Sequence, residues 1–273
     1  MTEVKVAALQ FDVRRGEVER NLAHVESGLR AAARDGVGLV VLPEMWPTSF
    51  VELEEDGADE VARTEEALSR VASLSAELEL VVCGSAFAAA GAGERPRNRL
   101  RVFDRGETAL TFDKLHLFSP TGERESFSAG EDPPATVETS VGRLSGVVCY
   151  DLRFGPLTGV PFRDGAEILV VPAQWPETRA THWRALVLGR AVENQCFVVA
   201  CNRIGTDLVG RRRLELSFPG NSIVADPAGR VRAEGRGEDG LVTAAIDLDE
   251  VRALRSQVPV ARDRRDDLYG DWG

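Results

Sequence analysis

Cysteine and histidine are scarce in this chain, and neither is clustered. The 273 residues hold four cysteines and three histidines. Cys83, Cys149, Cys196 and Cys201 form no C-x-x-C pair, which argues against a disulfide framework or a zinc site. His24, His116 and His182 are scattered too, so no metal and no cofactor are expected. No apolar run is long enough to span a bilayer, and Met1-Thr-Glu-Val-Lys-Val opens on a strand-like pattern, not a targeting signal. The expectation is a cytoplasmic protein with no membrane partner. Positive charge is in deficit: 33 Lys and Arg against 44 Asp and Glu leave a net charge of −11. That balance excludes a nucleic-acid footprint. The short groups Arg211-Arg212-Arg213 and Arg262-Asp-Arg264-Arg265 read as solvated surface. Linkers, low-complexity tracts and internal repeats are also missing, so residues 1–273 read as one domain.

What is present suits a globular core, with 43% apolar and 28% charged residues. The pattern alternates strand, helix, strand. Val4–Leu9 reads as a strand, and Val18, Leu22, Val25, Leu29 and Ala32 recur at helical spacing up to Gly36. Leu39–Leu42 is a buried strand stopped by Pro43. A helix carrying Leu68, Val71, Ser75 and Leu78 leads into the strand Leu80–Cys83. Leu100 and Val102 alternate with arginines and turn at Gly106 towards Leu110 and Phe112, a hairpin. A loop rich in Pro and Gly runs from Ser119 to Pro134. Gly146-Val147-Val148 reads as a strand ending at Cys149. The strand Glu167–Val171, a helix around Trp183–Asn194 and the strand Phe197–Cys201 follow. Ser222–Ala225, Leu241–Asp247 and a short helix Val251–Ser256 close the chain. Strands interleaved with helices imply an α/β sandwich.

Four polar residues stand at the ends of apolar segments, where α/β sheets place their sites. Glu44 follows Leu39–Pro43, Lys114 closes Leu110–Asp113, Glu123 lies in the next loop, and Cys149 ends its strand.

The segments Leu-Pro-Glu44-Met, Asp-Lys114-Leu-His116-Leu-Phe and Val-Cys149-Tyr-Asp-Leu-Arg-Phe resemble the three signatures of the nitrilase superfamily of carbon–nitrogen hydrolases. The resemblance extends through Gly165-Ala-Glu-Ile-Leu, Arg190-Ala-Val-Glu193-Asn194, Gly220-Asn-Ser222 and Asp226-Pro, in order along the chain. It implies a single-domain, four-layer αββα sandwich, α/β in class and paired into a homodimer or higher homo-oligomer. It also implies a triad of Glu44, Lys114 and Cys149, with Glu123 as the second family glutamate.

Such residues make a coherent site. A free thiol ionises near pH 8.5, so a carboxylate that takes its proton and an ammonium that favours the thiolate are both useful. Glu44 is read as general base and Cys149 as nucleophile on an amide carbonyl. Lys114 and the backbone N–H of Tyr150 would hold the oxyanion, and Glu123 would position the amide or Lys114. Pro172-Ala-Gln174-Trp175-Pro-Glu177-Thr-Arg179, His182-Trp183 and Glu193-Asn194-Gln195 are similar to the omega-amidases, which cleave the terminal amide of 2-oxo acid amides such as 2-oxoglutaramate. Arg153 is the candidate for the substrate carboxylate; its alternative is a buried structural salt bridge. Trp46, Phe118 and Trp175 are candidates for an apolar wall.

One segment departs from the family. After Phe154 the chain runs Gly155-Pro156-Leu-Thr-Gly159-Val-Pro161, without the usual Pro-Glu pair, and Gly159 replaces an arginine. Gly and Pro weaken a helix there, which bears on pocket shape. The alternatives left open are a deaminated-glutathione amidase, a carbamoyl-amine hydrolase, a nitrilase, an acyltransferase and a non-catalytic binding protein. Cys83, Cys196 and Cys201 are expected to pack in the core.

Overall fold

The computed structural model describes residues 3–51, 58–91, 93–210 and 212–269; Met1, Thr2 and Arg211, named above, lie outside them. The first half of the chain builds one mixed sheet. Its centre is β1 (Glu3–Gln10), β2 (Leu39–Val41) and β3 (Val81–Ala88), mutually parallel and joined by α1 (Val18–Arg34) and α2 (Ala58–Glu77). Then β4 (Arg97–Asp104) and β5 (Glu107–Asp113) extend it as an antiparallel hairpin turning at Arg105-Gly106.

The second half repeats the plan. After α3 (Glu123–Ser126) and an edge strand β6 (Val137–Thr139) come β7 (Gly142–Gly146), α4 (Gly155–Arg163), β8 (Ile168–Ala173), α5 (Ala180–Asn194) and β9 (Phe197–Asn202). Strands β7, β8 and β9 are parallel. A separate two-stranded hairpin, β10 (Ile204–Val209) and β11 (Leu214–Pro219), precedes the antiparallel strands β12 (Ile223–Ala225) and β13 (Val231–Glu234). Finally β14 (Gly240–Asp247) crosses back to pair with β1, and α6 (Asp249–Gln257) follows. The sheet orders are β14-β1-β2-β3-β4-β5 and β13-β12-β9-β8-β7-β6.

Side-chain alternation decides the layering. In β1, Val6 and Ala8 enter the core between the sheets, while Ala7 and Leu9 join the cluster under α1 and α2. Helix α1 reaches that cluster through Val18, Val25, Leu29 and Ala32, at spacings of three, four and seven. On the other side Trp183, Val187 and Ala191 of α5 close the core. The four-layer αββα sandwich expected from the resemblance is the observed fold.

Three expectations are corrected. The strand before Cys149 is Gly142–Gly146, not Gly146–Val148. Val147 still donates to Val170 O at 3.1 Å, but Val148 turns its N–H to the Asp151 carboxylate at 3.3 Å. The Ser119–Pro134 loop contains a 3-10 turn, Ser119–Thr121, and α3, which begins at Glu123. Gly155 and Pro156 begin α4 without breaking it: Pro156 occupies the first turn, where a missing N–H costs nothing. The remaining cost is offset by burial of Leu157, Thr158 and Phe162. The periodicity also missed β6, β13 and the β10–β11 hairpin.

Candidate active site

Four side chains of the candidate site leave the sheets at the same edge. Glu44 follows β2 and Pro43, and Gln174 follows β8 directly. Strand β5 runs in the sense of β3 because both are antiparallel to β4, so Lys114 emerges beside Glu44. Cys149 lies three residues beyond β7. The C-terminal ends of parallel strands converge here, as α/β sheets favour. Leu100 of the first sheet stands over Gly146 of the second; a Cβ at 146 would lie 2.4 Å from it, so glycine permits the close approach.

Lys114 is the hub. Its Nζ donates to Glu44 Oε1 at 2.8 Å and to both Glu123 carboxylate oxygens at 2.9 Å. All three side chains are 1% exposed. Asn98 of β4 bridges the carboxylates, donating to Glu44 Oε1 at 2.9 Å and to Glu123 Oε1 at 3.5 Å. The Phe118 N–H binds Glu123 Oε2 at 2.6 Å. Gln174 fixes the other end of Glu44: its main-chain N–H donates to Oε2 and its side-chain amide to the Glu44 carbonyl, both at 2.9 Å.

Burial opposes charge at Lys114, Glu123 and Cys149. It would depress the Lys114 ammonium, but Glu123 and Glu44 more than offset it and hold the group well above the usual lysine value. Burial pushes Glu123 up; Lys114 pulls it back and Glu44 adds to the rise, leaving it above an ordinary carboxylate. Burial and then Glu44 push the Cys149 thiol well up, against the pull of Lys114. Cys149 is therefore held towards its thiol form, with the Glu44 carboxylate beside it.

Cys149 has a backbone φ of 46°, in the left-handed region that a side chain rarely adopts. Asp151 braces this turn from a fully buried position, accepting from the Val148 N–H and, at 2.9 Å each, from the N–H and Nδ1 of His116. The contact ties the segment after Lys114 to the turn of Cys149. The Sγ points at the Gln174 carbonyl, 3.9 Å away. Tyr150 places its N–H in the same 3-10 turn, Cys149–Arg153. The other three cysteines are free and buried, and burial pushes the Cys196 thiol up to about 12.

A cleft of about 460 Å³, counted out to its mouth, opens onto Glu44, Lys114, Glu123 and Cys149. Phe118, Tyr150, Arg153 and Trp175 also line it, as the sequence suggests. Trp46 does not, and its assignment is corrected: it is 1% exposed in the cluster under α1 and α2. The chain turns at Met45, φ 48°, and the indole fills the space left by Gly84, where a Cβ would sit 2.9 Å from Trp46 Cδ1. Phe50 and Phe218 supply the aromatic wall instead. Arg153 pairs with no carboxylate among the described residues. Its guanidinium lies 4.8 Å over the Trp175 ring and 3.2 Å from His182 Nδ1. Trp175 is itself held by Asn202, at 2.7 Å through its N–H and 3.0 Å through its carbonyl.

Asn98, Gln174 and Arg203 are the residues that sequence reasoning missed. Arg203 is 1% exposed and donates to Gln174 Oε1 at 3.1 Å, to Asp207 at 3.1 Å and to Asp12 at 3.0 Å. It thereby orients the Gln174 amide that holds Glu44. A polar residue at or near a strand end was the only local signal for Asn98 and Arg203; Gln174 stood in the omega-amidase-like segment Pro172–Arg179 with no role assigned to it. Among the described residues no group of three or more His, Cys, Asp or Glu side chains could hold a metal, and no helix is long and apolar enough to cross a membrane.

Known proteins resemble this chain over nearly its whole length. A 2-oxoglutaramate amidase from Bacillus subtilis is 34% identical over 267 residues, covering 97% of this chain and 98% of the relative. An omega-amidase from Yersinia enterocolitica is 30% identical over 264 residues, covering 96% and 97%. The crystal structure of a carbon-nitrogen hydrolase from Helicobacter pylori superposes with a TM-score of 0.91 at 25% identity, covering 99% of this chain and 98% of that one. The profile of the Carbon-nitrogen hydrolase family matches residues 5–256, nearly the whole sandwich, and this chain is a member of that family, an amidase of the nitrilase superfamily.

Proposed function

We propose that the enzyme is an omega-amidase, releasing ammonia from 2-oxo acid amides such as 2-oxoglutaramate through a thioester on Cys149. The observation that carries the mechanism is a buried ammonium, Lys114, held between two carboxylates at the mouth of a thiol-bearing turn. Cys149 Sγ attacks the amide carbon, and its proton passes to Glu44 as the S–C bond forms. Lys114 and the Tyr150 N–H receive the oxyanion, donors worth roughly 3–4 kcal/mol each. Glu44 returns the proton to nitrogen, the C–N bond breaks and ammonia leaves. Glu44 then takes a proton from water, whose oxygen attacks the thioester; the S–C bond breaks and the proton returns to sulfur. Glu123 keeps Lys114 in place throughout.

The substrate class rests on Arg153, whose guanidinium faces the cleft stacked on Trp175. A small amide with a remote carboxylate suits such a group. The similarity to relatives named 2-oxoglutaramate amidase supports the same choice. Pairing of two copies belongs to this reading.

The test is ammonia release from 2-oxoglutaramate, with glutamine as comparator and Cys149→Ala as blank. Release from the oxo-amide that is lost in Cys149→Ala is the expected result. Turnover surviving in Cys149→Ala removes the nucleophile, and silence on the oxo-amide removes the substrate.

A further inference from the structure

We infer that Arg179 is a second specificity-determining residue of this site, acting with Arg153 to select amides that carry a carboxylate remote from the scissile bond. The inference rests on the amidase reading, but not on the 2-oxo group.

Arg179 ends the 3-10 turn Glu177–Arg179 after β8 and lines the same cleft as Cys149. Its backbone is clamped: the N–H donates to Pro176 O at 3.0 Å, and the carbonyl accepts from Trp175 Nε1 at 2.8 Å. Its guanidinium is much less committed. It lies 5.6 Å over the ring of Phe118, itself a wall of the cleft, and makes one long contact to Thr178 Oγ1 at 3.4 Å. Trp175 thus serves both arginines, its face under Arg153 and its N–H on the Arg179 backbone. Among the described residues neither guanidinium pairs with a carboxylate.

The charge of the cleft shows why two arginines are useful. Glu44 and Glu123 line the catalytic end and would repel an anionic substrate, and Lys114 is already engaged by both. Adding Arg153 and Arg179 gives three cations against two carboxylates, a net positive cleft in a chain of net charge −11. A carboxylate offers about four lone-pair sites, enough for a bidentate arginine and a donor from a second. Aromatic faces hold both cations in place and keep water from one side of each.

The experiment compares Arg179→Gln and Arg179→Lys with the unmodified enzyme on 2-oxoglutaramate, succinamate and neutral butyramide. For Arg179→Gln the ratio of kcat/KM on either anionic amide to that on butyramide falls by at least about tenfold, carried by KM, as loss of a charged hydrogen bond requires. Arg179→Lys restores part of the ratio by keeping charge without the fork. A readout independent of turnover is alkylation of Cys149: the rate ratio of iodoacetate to iodoacetamide falls in Arg179→Gln. Unchanged ratios, or equal losses on anionic and neutral reagents, overturn the inference. Preference of the unmodified enzyme for succinamate over 2-oxoglutaramate would remove the proposed substrate and leave Arg179 standing. Turnover of neutral amides alone would remove both.

Discussion

Lys114 and its two carboxylate partners are each 1% exposed, so removing the ammonium acts on folding and chemistry together. Lys114→Met leaves two buried carboxylates facing one another, and breaking such a cluster costs about 3–5 kcal/mol. We expect a clear fall in Tm along with loss of ammonia release. The double variant Lys114→Met/Glu123→Gln, with one carboxylate neutralised, recovers much of the Tm and none of the activity. A single variant as stable as the parent would show that the pairs contribute nothing. Glu44, Lys114 and Cys149 were legible because each sits in its own short motif, and Glu123 because it follows Lys114 in the next loop. Asn98 and Gln174 were not, because they act on Glu44 from 54 and 130 residues away along the chain. Trp46 misled for a related reason: its place depends on the positive φ of Met45 and on the absent side chain of Gly84.

Among the elements, the β10–β11 hairpin belongs to neither main sheet, yet Val209, Leu216 and Phe218 from it line the cleft. Its end meets the turn that leads into Glu123. Gly210 has φ 68°, and a Cβ there would stand 2.1 Å from the Thr121 carbonyl oxygen. Only glycine allows both that conformation and that approach. Gly210→Val is therefore expected to push the hairpin off the Ser119–Thr121 turn and loosen Glu123 against Lys114. Displacements near 1 Å at a catalytic group cost roughly 10²-fold in rate. Steady-state kinetics alongside far-UV circular dichroism checks this, and normal kcat in a folded Gly210→Val protein would refute it. The hairpin escaped the sequence reading because its strands are half-exposed and its hydrophobic alternation is weak. The buried parallel strands were plain, being continuous apolar runs between helices with a clear apolar stripe. Helix α4 was underestimated because its formation depends on tertiary burial, which local propensity does not register.

The whole molecule is two copies of one topology, β1-α1-β2-α2-β3-β4-β5 and β7-α4-β8-α5-β9-β12-β13, each with a further edge strand. No repeat is visible in the sequence, because the constraint is only that apolar residues recur at matching periods. The first unit supplies Glu44 and Lys114 and the second Cys149 and Gln174, so the site exists only where the units meet. That shared core also holds Cys83, Cys149, Cys196 and Cys201. Burial pushes all four thiols above the ordinary thiol value, and Lys114 also stands above the ordinary lysine value. Above pH 9 the unfolded chain sheds thiol protons that the native state keeps. The native state then binds more protons, so stability falls as pH rises, by about 1.4 kcal/mol per pH unit for each thiol. Four thiols acting together would remove about 11 kcal/mol within about two pH units, comparable with the usual stability of about 5–15 kcal/mol. In acid the sign reverses for Glu26, which its hydrogen bond from Arg70 holds below the usual 4.5; that contribution is lost as pH falls through its lowered value. The pair is exposed, so the acid limb is shallow. Urea unfolding from pH 7 to 11 under reducing conditions should therefore give a plateau followed by a steep alkaline limb. Cys83→Ala, which removes one of the four thiol protons, should reduce the slope of that limb by about 1.4 kcal/mol per pH unit. An unchanged slope in that variant would mean that the buried thiols do not set the alkaline limit.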